Sequence, residues 1–375
     1  MSRVSAFFLS VFLSASLQAA SPQIPILAYH EVDPTPERGW GVSTENFTDQ
    51  MQYISATGYK VIPIVDLADY LSGKRDSLPS DSVVITADDG WLCAFTQIQP
   101  IVMKFGFPWS LYVYPAIIGH GLHALNWAQV KELANDGVDV EDHTLTHPHL
   151  IRRSHPEMTD EQYSAWLHQE LADSKSQIET QTGRPVRFLS YPYGDFDRAV
   201  ESEAALDGYI IALRSREGWN NRRSNPLELK RFLIESDTTL DRFRADLGAL
   251  DLLVKDLSPA SEGIIPPAQK IISATVPEVG QFDPDSIHIA LLGDDRATPS
   301  WDPAARQISL TLNGTLAPGR HHVVVWARRL RDGKRAVALW TFYTSGPEKK
   351  RYDAMRVQLL ELPLHHAQAQ PGAAP

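Results

Sequence analysis

The stretch VVITADDGW, residues 83–91, decides how this chain is read. Val83, Val84 and Ile85 have the apolar, β-branched character of a buried strand, and the strand runs straight into two adjacent carboxylates, Asp88 and Asp89, before Gly90. Two like charges side by side at a strand end repel, so the pair calls for a cation, a proton or a turn to accommodate it.

Outward from this stretch, strand and helix patterns alternate. IPILAYH (24–30) and YKVIPI (59–64) read as strands. Between them Phe47, Met51 and Ile54 recur at helical spacing, with Thr44 as cap and Gly58 as stop. The rhythm continues through a helix-like AFTQIQPIVMKFG, the strand WSLYVYP, a helix around NWAQVKELANDG, the strand VDVEDHT, a long helix over 160–182, VRFLSYP and YIIALR. Parallel strands with crossover helices, as an open sheet or closed into a barrel, are the expected α/β architecture for residues 21–255. The segment SPASEGIIPPAQ suggests a linker over 256–269. Short β runs and an Asp332-Gly333 turn then predict a small β-sandwich-like domain over 270–346, and 347–375 reads as a disordered tail.

The whole chain has 375 residues, 43% of them apolar and 22% charged, enough for two domains. A formal charge of −11 argues against a nucleic-acid partner. Residues 1–20 join Arg3 to an apolar run ending in small residues, the pattern of a signal peptide for a periplasmic or secreted protein; an uncleaved N-terminal anchor is the alternative. Cys93 is the only cysteine, so no intramolecular disulfide forms and the fold relies on packing.

Two further stretches carry chemistry. In HTLTH (143–147), two imidazoles four residues apart can converge on one metal if the backbone turns there. A carboxylate from another strand end completes a three-ligand site with an open position. One of Asp88 and Asp89 would then be the ligand and the other a base. In RFLSYPYGDFD (187–197), Pro192, Tyr193 and Gly194 predict a tight turn whose N–H groups can face a ligand. Each stretch has a plainer reading, as an incidental histidine pair, an acidic turn or a strand-to-helix loop. Their order at successive strand ends favours the chemical one.

Together TADDG, HTLTHP and RFLSYPYG resemble the main motifs of the polysaccharide deacetylases, carbohydrate esterase family 4 with its NodB homology domain, over residues 24–250. The resemblance implies a distorted (β/α) barrel and a divalent metal, usually zinc, with nickel, cobalt or iron(II) as substitutes, held by Asp89, His143 and His147. It implies Asp88 as general base, Arg187 as the residue holding that base, and Tyr193 as an oxyanion donor through its backbone N–H.

The chain departs from the pattern at Ala87, where an aromatic is usual, and at Trp219, which lacks the aspartate expected four residues earlier. The late Leu-x-x-His is missing from its usual place, but Leu27 to His30 repeats it at the end of the first strand. That arrangement is similar to the poly-β-1,6-N-acetylglucosamine deacetylases of biofilm export systems and implies His30 as general acid. Pro192 and Trp219 are candidate substrate contacts, and Trp109 and Trp127 are further aromatics that could stack on sugars.

The expected function is removal of N-acetyl groups from an exopolysaccharide, with an export or biofilm assembly system as partner. Peptidoglycan, chitin-like polymers and O-acetyl esters are alternative substrates. Two rival classes are a non-haem iron oxygenase, disfavoured by the β/α rhythm, and a non-catalytic carbohydrate-binding protein, which would need neither a base nor an acid.

Overall fold

A computed structural model describes residues 22–344 except 37 and 267; the expected signal peptide (1–20) and tail (347–375) lie outside the described residues. The first unit is built on strands β1 (Ile26–Tyr29), β2 (Ser82–Ala87), β3 (Ser110–Val113), β4 (Asp139–Asp142), β5 (Phe188–Ser190), β6 (Ile211–Arg214), β7 (Leu229–Lys230) and β8 (Phe232–Leu233). They lie in the order β7-β6-β5-β4-β3-β2-β1-β8, each parallel to its neighbour. Only Arg231 separates β7 from β8, yet these strands pair with opposite edges of the sheet, β6 and β1. One short piece of chain therefore brings the two edges together, and the result is a nearly closed eight-stranded (β/α) barrel.

Burial explains the sequence pattern. All six residues of β2 are buried, as parallel strands covered on both faces require. Alternate residues separate into two sets: Ile26, Val84, Tyr112, Phe188 and Leu213 pack with the helix Ile64–Ser72, while Leu27, Val83, Ile85, Leu111 and Leu189 pack under the surrounding helices. The helix Thr44–Thr57 is capped by the Ser43 side chain rather than by Thr44, and it stops at Gly58 with φ 74° as expected.

The long helix over 160–182 is interrupted. Asp160–His168 and Ser174–Thr182 are α-helical, but Gln169–Asp173 forms a π turn.

Beyond the barrel, two sheets form the expected β-sandwich. One has the order Leu250–Asp251, Arg335–Tyr343, Arg320–Arg328, His288–Leu291; the other has Lys255–Ser258, Ile271–Thr275, Gln307–Thr311, Thr298–Asp302. The stretch 256–269 is not a free linker. Lys255–Ser258 belongs to the second sheet, and Gly263–Ile264 pairs with Arg335–Tyr343. Pairing through backbone groups makes strand out of a segment whose side chains read as a connection.

The sandwich also docks on the barrel, with period-two alternation serving both cores. Val323, Val325 and Ala327 face the sandwich interior, whereas Val324 and Val337 join the barrel's core. Asp49 of the first helix accepts hydrogen bonds from Arg320 (3.0 Å) and His322 (3.1 Å) across this contact.

Candidate active site

The site collects where the barrel strands end, the position at which a β/α barrel gathers its chemistry. His30 follows β1, Asp88 and Asp89 follow β2, His143 follows β4, and Tyr193 follows β5. Asp88 donates its backbone N–H to the Tyr29 carbonyl, which sets it beside His30.

Asp89, His143 and His147 bring their ligating atoms within 4.8 Å of one another. Each histidine places its Nε2 3.5 Å from Asp89 Oδ1. His143 Nδ1 donates to the Ser190 carbonyl at 2.7 Å, a contact that leaves the Nε2 lone pair directed to the centre. Burial and, secondly, the charge of His143 push His147 down to about 4, so it is neutral near pH 7. Burial alone would lower His143, but Asp88 and then Asp89 raise it. The two carboxylates thus favour positive charge at the centre, and Arg231 beside Asp88 already supplies one part of it. Two imidazoles and a carboxylate with free lone pairs fit a zinc-type divalent ion.

The loop bearing the histidines is held by groups the motif itself does not reveal. Asp142 accepts from the Thr144 N–H at 2.7 Å, and Thr144 Oγ1 accepts from the His147 N–H at 3.2 Å. Glu170, buried in the π turn, accepts from the N–H of Thr146 at 3.0 Å and from its hydroxyl at 2.8 Å. Placing a π turn here aims Glu170 inward. Asp89 (φ 78°), Thr144 (68°), His147 (61°) and Tyr193 (59°) all adopt left-handed backbone, an unfavourable state for side chains other than glycine that the surrounding bonds enforce. Gly194 is required where it stands, because a Cβ there would lie 2.4 Å from the Ser215 nitrogen.

Asp88 is held differently from Asp89. Arg231 donates to both of its oxygens, at 2.8 and 2.7 Å, and the Ser190 hydroxyl donates at 3.0 Å. Burial would raise the Asp88 carboxyl; the charge of Arg231, followed by His143, holds it well below the usual carboxylate range.

Arg187, the residue expected to hold the base, does not reach it. It precedes β5 and so lies where that strand begins, while the site lies where the strands end. Its guanidinium instead rests 5.0 Å from the Phe188 ring centre, and its charge acts on Asp139 and Glu141. The interior position between β7 and β8 supplies Arg231 in its place.

His30 faces the same centre. Its charge acts on Asp88, Asp89 and His147, and its Nδ1 is buried with no protein partner. The adjacency of first and last strands that this placement requires is present in the β1–β8 pair. Tyr193 is 57% exposed, with its ring stacked on His149 at 4.0 Å and edge-on to His147 at 4.8 Å.

The expected substrate contacts fare less well. Pro192 is buried. Trp219 donates to the Asp246 carbonyl and packs on Phe232, Trp109 is buried and bonds Gln99, and Trp127 packs against the core. A second His-carboxylate group, His168 with Glu203 and Asp207, sits on the outer helices, where the two carboxylates raise the imidazole and pair with it.

Comparison with known proteins agrees with this geometry. The profile of the polysaccharide deacetylase family matches residues 75–212. The Bacillus subtilis (strain 168) protein YxkH, by name assigned to polysaccharide deacetylation, is 26% identical over 234 residues, spanning 62% of this chain and 79% of its own. Two solved structures share the fold. The Streptococcus pyogenes deacetylase PplD in complex with acetate has a TM-score of 0.55 and 21% identity, covering 61% of this chain and 99% of that one. IcaB from Ammonifex degensii has a TM-score of 0.55 and 22% identity, covering 61% and 98%. With the matched motifs carrying the site on a barrel of this kind, residues 75–212 form a polysaccharide deacetylase domain of the NodB, carbohydrate esterase family 4, type.

Proposed function

We propose that this protein is a metal-dependent hydrolase that removes N-acetyl groups from poly-N-acetylglucosamine or a related exopolysaccharide outside the cytoplasm. The observation that carries the reading is the division of labour between adjacent aspartates: Asp89 turns an oxygen to two histidines, while Asp88 is held by Arg231. A divalent ion held by Asp89, His143 and His147 would polarise a water and the acetamide carbonyl. Asp88, kept ionised by Arg231, takes the proton of the attacking water. The Tyr193 N–H is the donor to the oxygen that gains charge in this reading; one donor of this kind contributes about 3 kcal/mol. His30 delivers a proton to the departing nitrogen, and acetate leaves.

The early Leu-x-x-His supports the poly-N-acetylglucosamine branch, as does the place of His30 at the end of β1, the strand paired with the one that runs into Asp88 and Asp89. The apolar N-terminal run supports export.

The test is acetate release from N-acetylglucosamine polymers by chelated and zinc-reconstituted protein, beside Asp88→Asn. Metal-dependent release that disappears in the variant is expected. Stoichiometric metal with no acetate from any polymer would remove this function.

A further inference from the structure

Two tryptophans at the mouth of the site belong to none of the apolar clusters of the core. Trp91 lies two residues after Asp89, and Trp40 ends the turn that leads into the short strand Gly41–Ser43; both are half-buried and outside the core clusters. Their rings lie 6.0 Å apart and 22° from parallel. The Arg38 guanidinium lies 4.9 and 5.0 Å from the two ring centres, and its Nη1 reaches Glu31 Oε1 at 3.3 Å.

The ends of this aromatic wall matter most. At one end the Trp91 indole N–H donates to Asp89 Oδ2 at 2.8 Å, the oxygen turned away from the histidines. At the other end the Trp40 ring lies 6.0 Å from the ring of His30. An acetamide with its carbonyl toward Asp89 and its nitrogen toward His30 would therefore lie along the wall. The sugar ring bearing it would meet the two indoles. Indoles outside the core gain most of their contact from a flat partner with an apolar C–H face, as a pyranose has.

We propose that Trp40 and Trp91 form the binding wall for the pyranose ring whose acetamide is cleaved. The proposal rests on the deacetylase reading and adds the residues that select a sugar-borne acetamide. Trp91 has a second role, since its N–H orients Asp89 as a one-oxygen ligand. The two roles separate by substitution. Trp40→Ala removes stacking and raises KM for a β-1,6-linked N-acetylglucosamine pentamer about tenfold, with kcat nearly unchanged; Trp40→Phe restores most of the loss. Trp91→Phe keeps a stacking ring but lacks the N–H, so zinc affinity falls roughly tenfold while KM at saturating zinc changes little.

Binding is read separately as quenching of tryptophan fluorescence when the pentamer is added to zinc-loaded Asp88→Asn protein. Adding Trp40→Ala to that background should weaken the binding about tenfold. Pentamer binding that depends on Trp40 without acetate release from any polymer would leave the wall standing and sink the deacetylase reading. Acetate release with the same KM in wild type and Trp40→Ala would overturn the wall alone.

Discussion

Arg231 grips both oxygens of Asp88, at 2.8 and 2.7 Å, across 143 residues of sequence, and both side chains are almost wholly buried. Removing one partner leaves the other as an uncompensated buried charge. Arg231→Met should destabilise the fold by about 3–5 kcal/mol. Adding Asp88→Asn should return part of that loss. Denaturant titration of the single and double variants checks the order. The Arg231 change should also cut acetate release by on the order of 10²-fold, because the base is no longer held ionised.

Glu170 anchors Thr146, the residue before His147, in the loop that carries both histidines. Glu170→Ala should weaken zinc binding by roughly 10–100-fold, the usual cost of losing an outer support of a metal ligand. Turnover at saturating zinc should fall much less. Competition with a chromogenic chelator measures the first quantity and acetate release the second.

Asp142 gives a pH signature. Burial raises its carboxyl from 3.8 to about 7, against the opposing bonds from Tyr209, Ser174 and Thr144. The folded state therefore keeps this proton where the unfolded chain has lost it. That contribution to stability is complete below pH 3.8 and declines as pH rises toward 7. Asp142→Asn should flatten this part of the stability profile, with the largest gain over wild type near pH 7 and above. Thermal midpoints across pH 4–8 test it; an unchanged slope would refute the assignment.

The sheet shared between barrel and sandwich predicts one cooperative transition. Val324 and Val337 bury one of its faces in the barrel core, while Val323 and Val325 bury the other in the sandwich. Val337→Asp places a charge in that contact and should cost several kcal/mol. Calorimetry should show barrel and sandwich melting together at a lower temperature. Two separated transitions in the wild type would contradict this coupling.

What the sequence disclosed follows from how local each signal is. Asp88, Asp89, His143 and His147 sit within short motifs at successive strand ends, and the resemblance of those motifs to a known family implies that they meet. Arg231 has no such signal. Its partner is 143 residues away, and one arginine between Lys230 and Phe232 looks like surface until the barrel turns that position inward. Glu170 was hidden because helical counting assumes an unbroken 3.6-residue period, and a π turn displaces the register. The 256–269 stretch escaped for another reason: its strands are two to four residues long and are held by backbone pairing, which leaves little trace in side-chain order. Trp91 could have been found from its place two residues after Asp89. Nothing in the sequence links Trp40 to it.

The seam between β7 and β8 ties competence to completion. A chain emerging from the ribosome carries both aspartates and both histidines long before residues 229–233 appear. Until that last stave is in place, the Asp88 carboxylate has the Ser190 hydroxyl but not the two-pronged grip of Arg231, and the barrel edges beside it remain apart. Closing the barrel and clamping Asp88 are thus a single event of assembly, because the segment that joins the two edges also delivers the guanidinium.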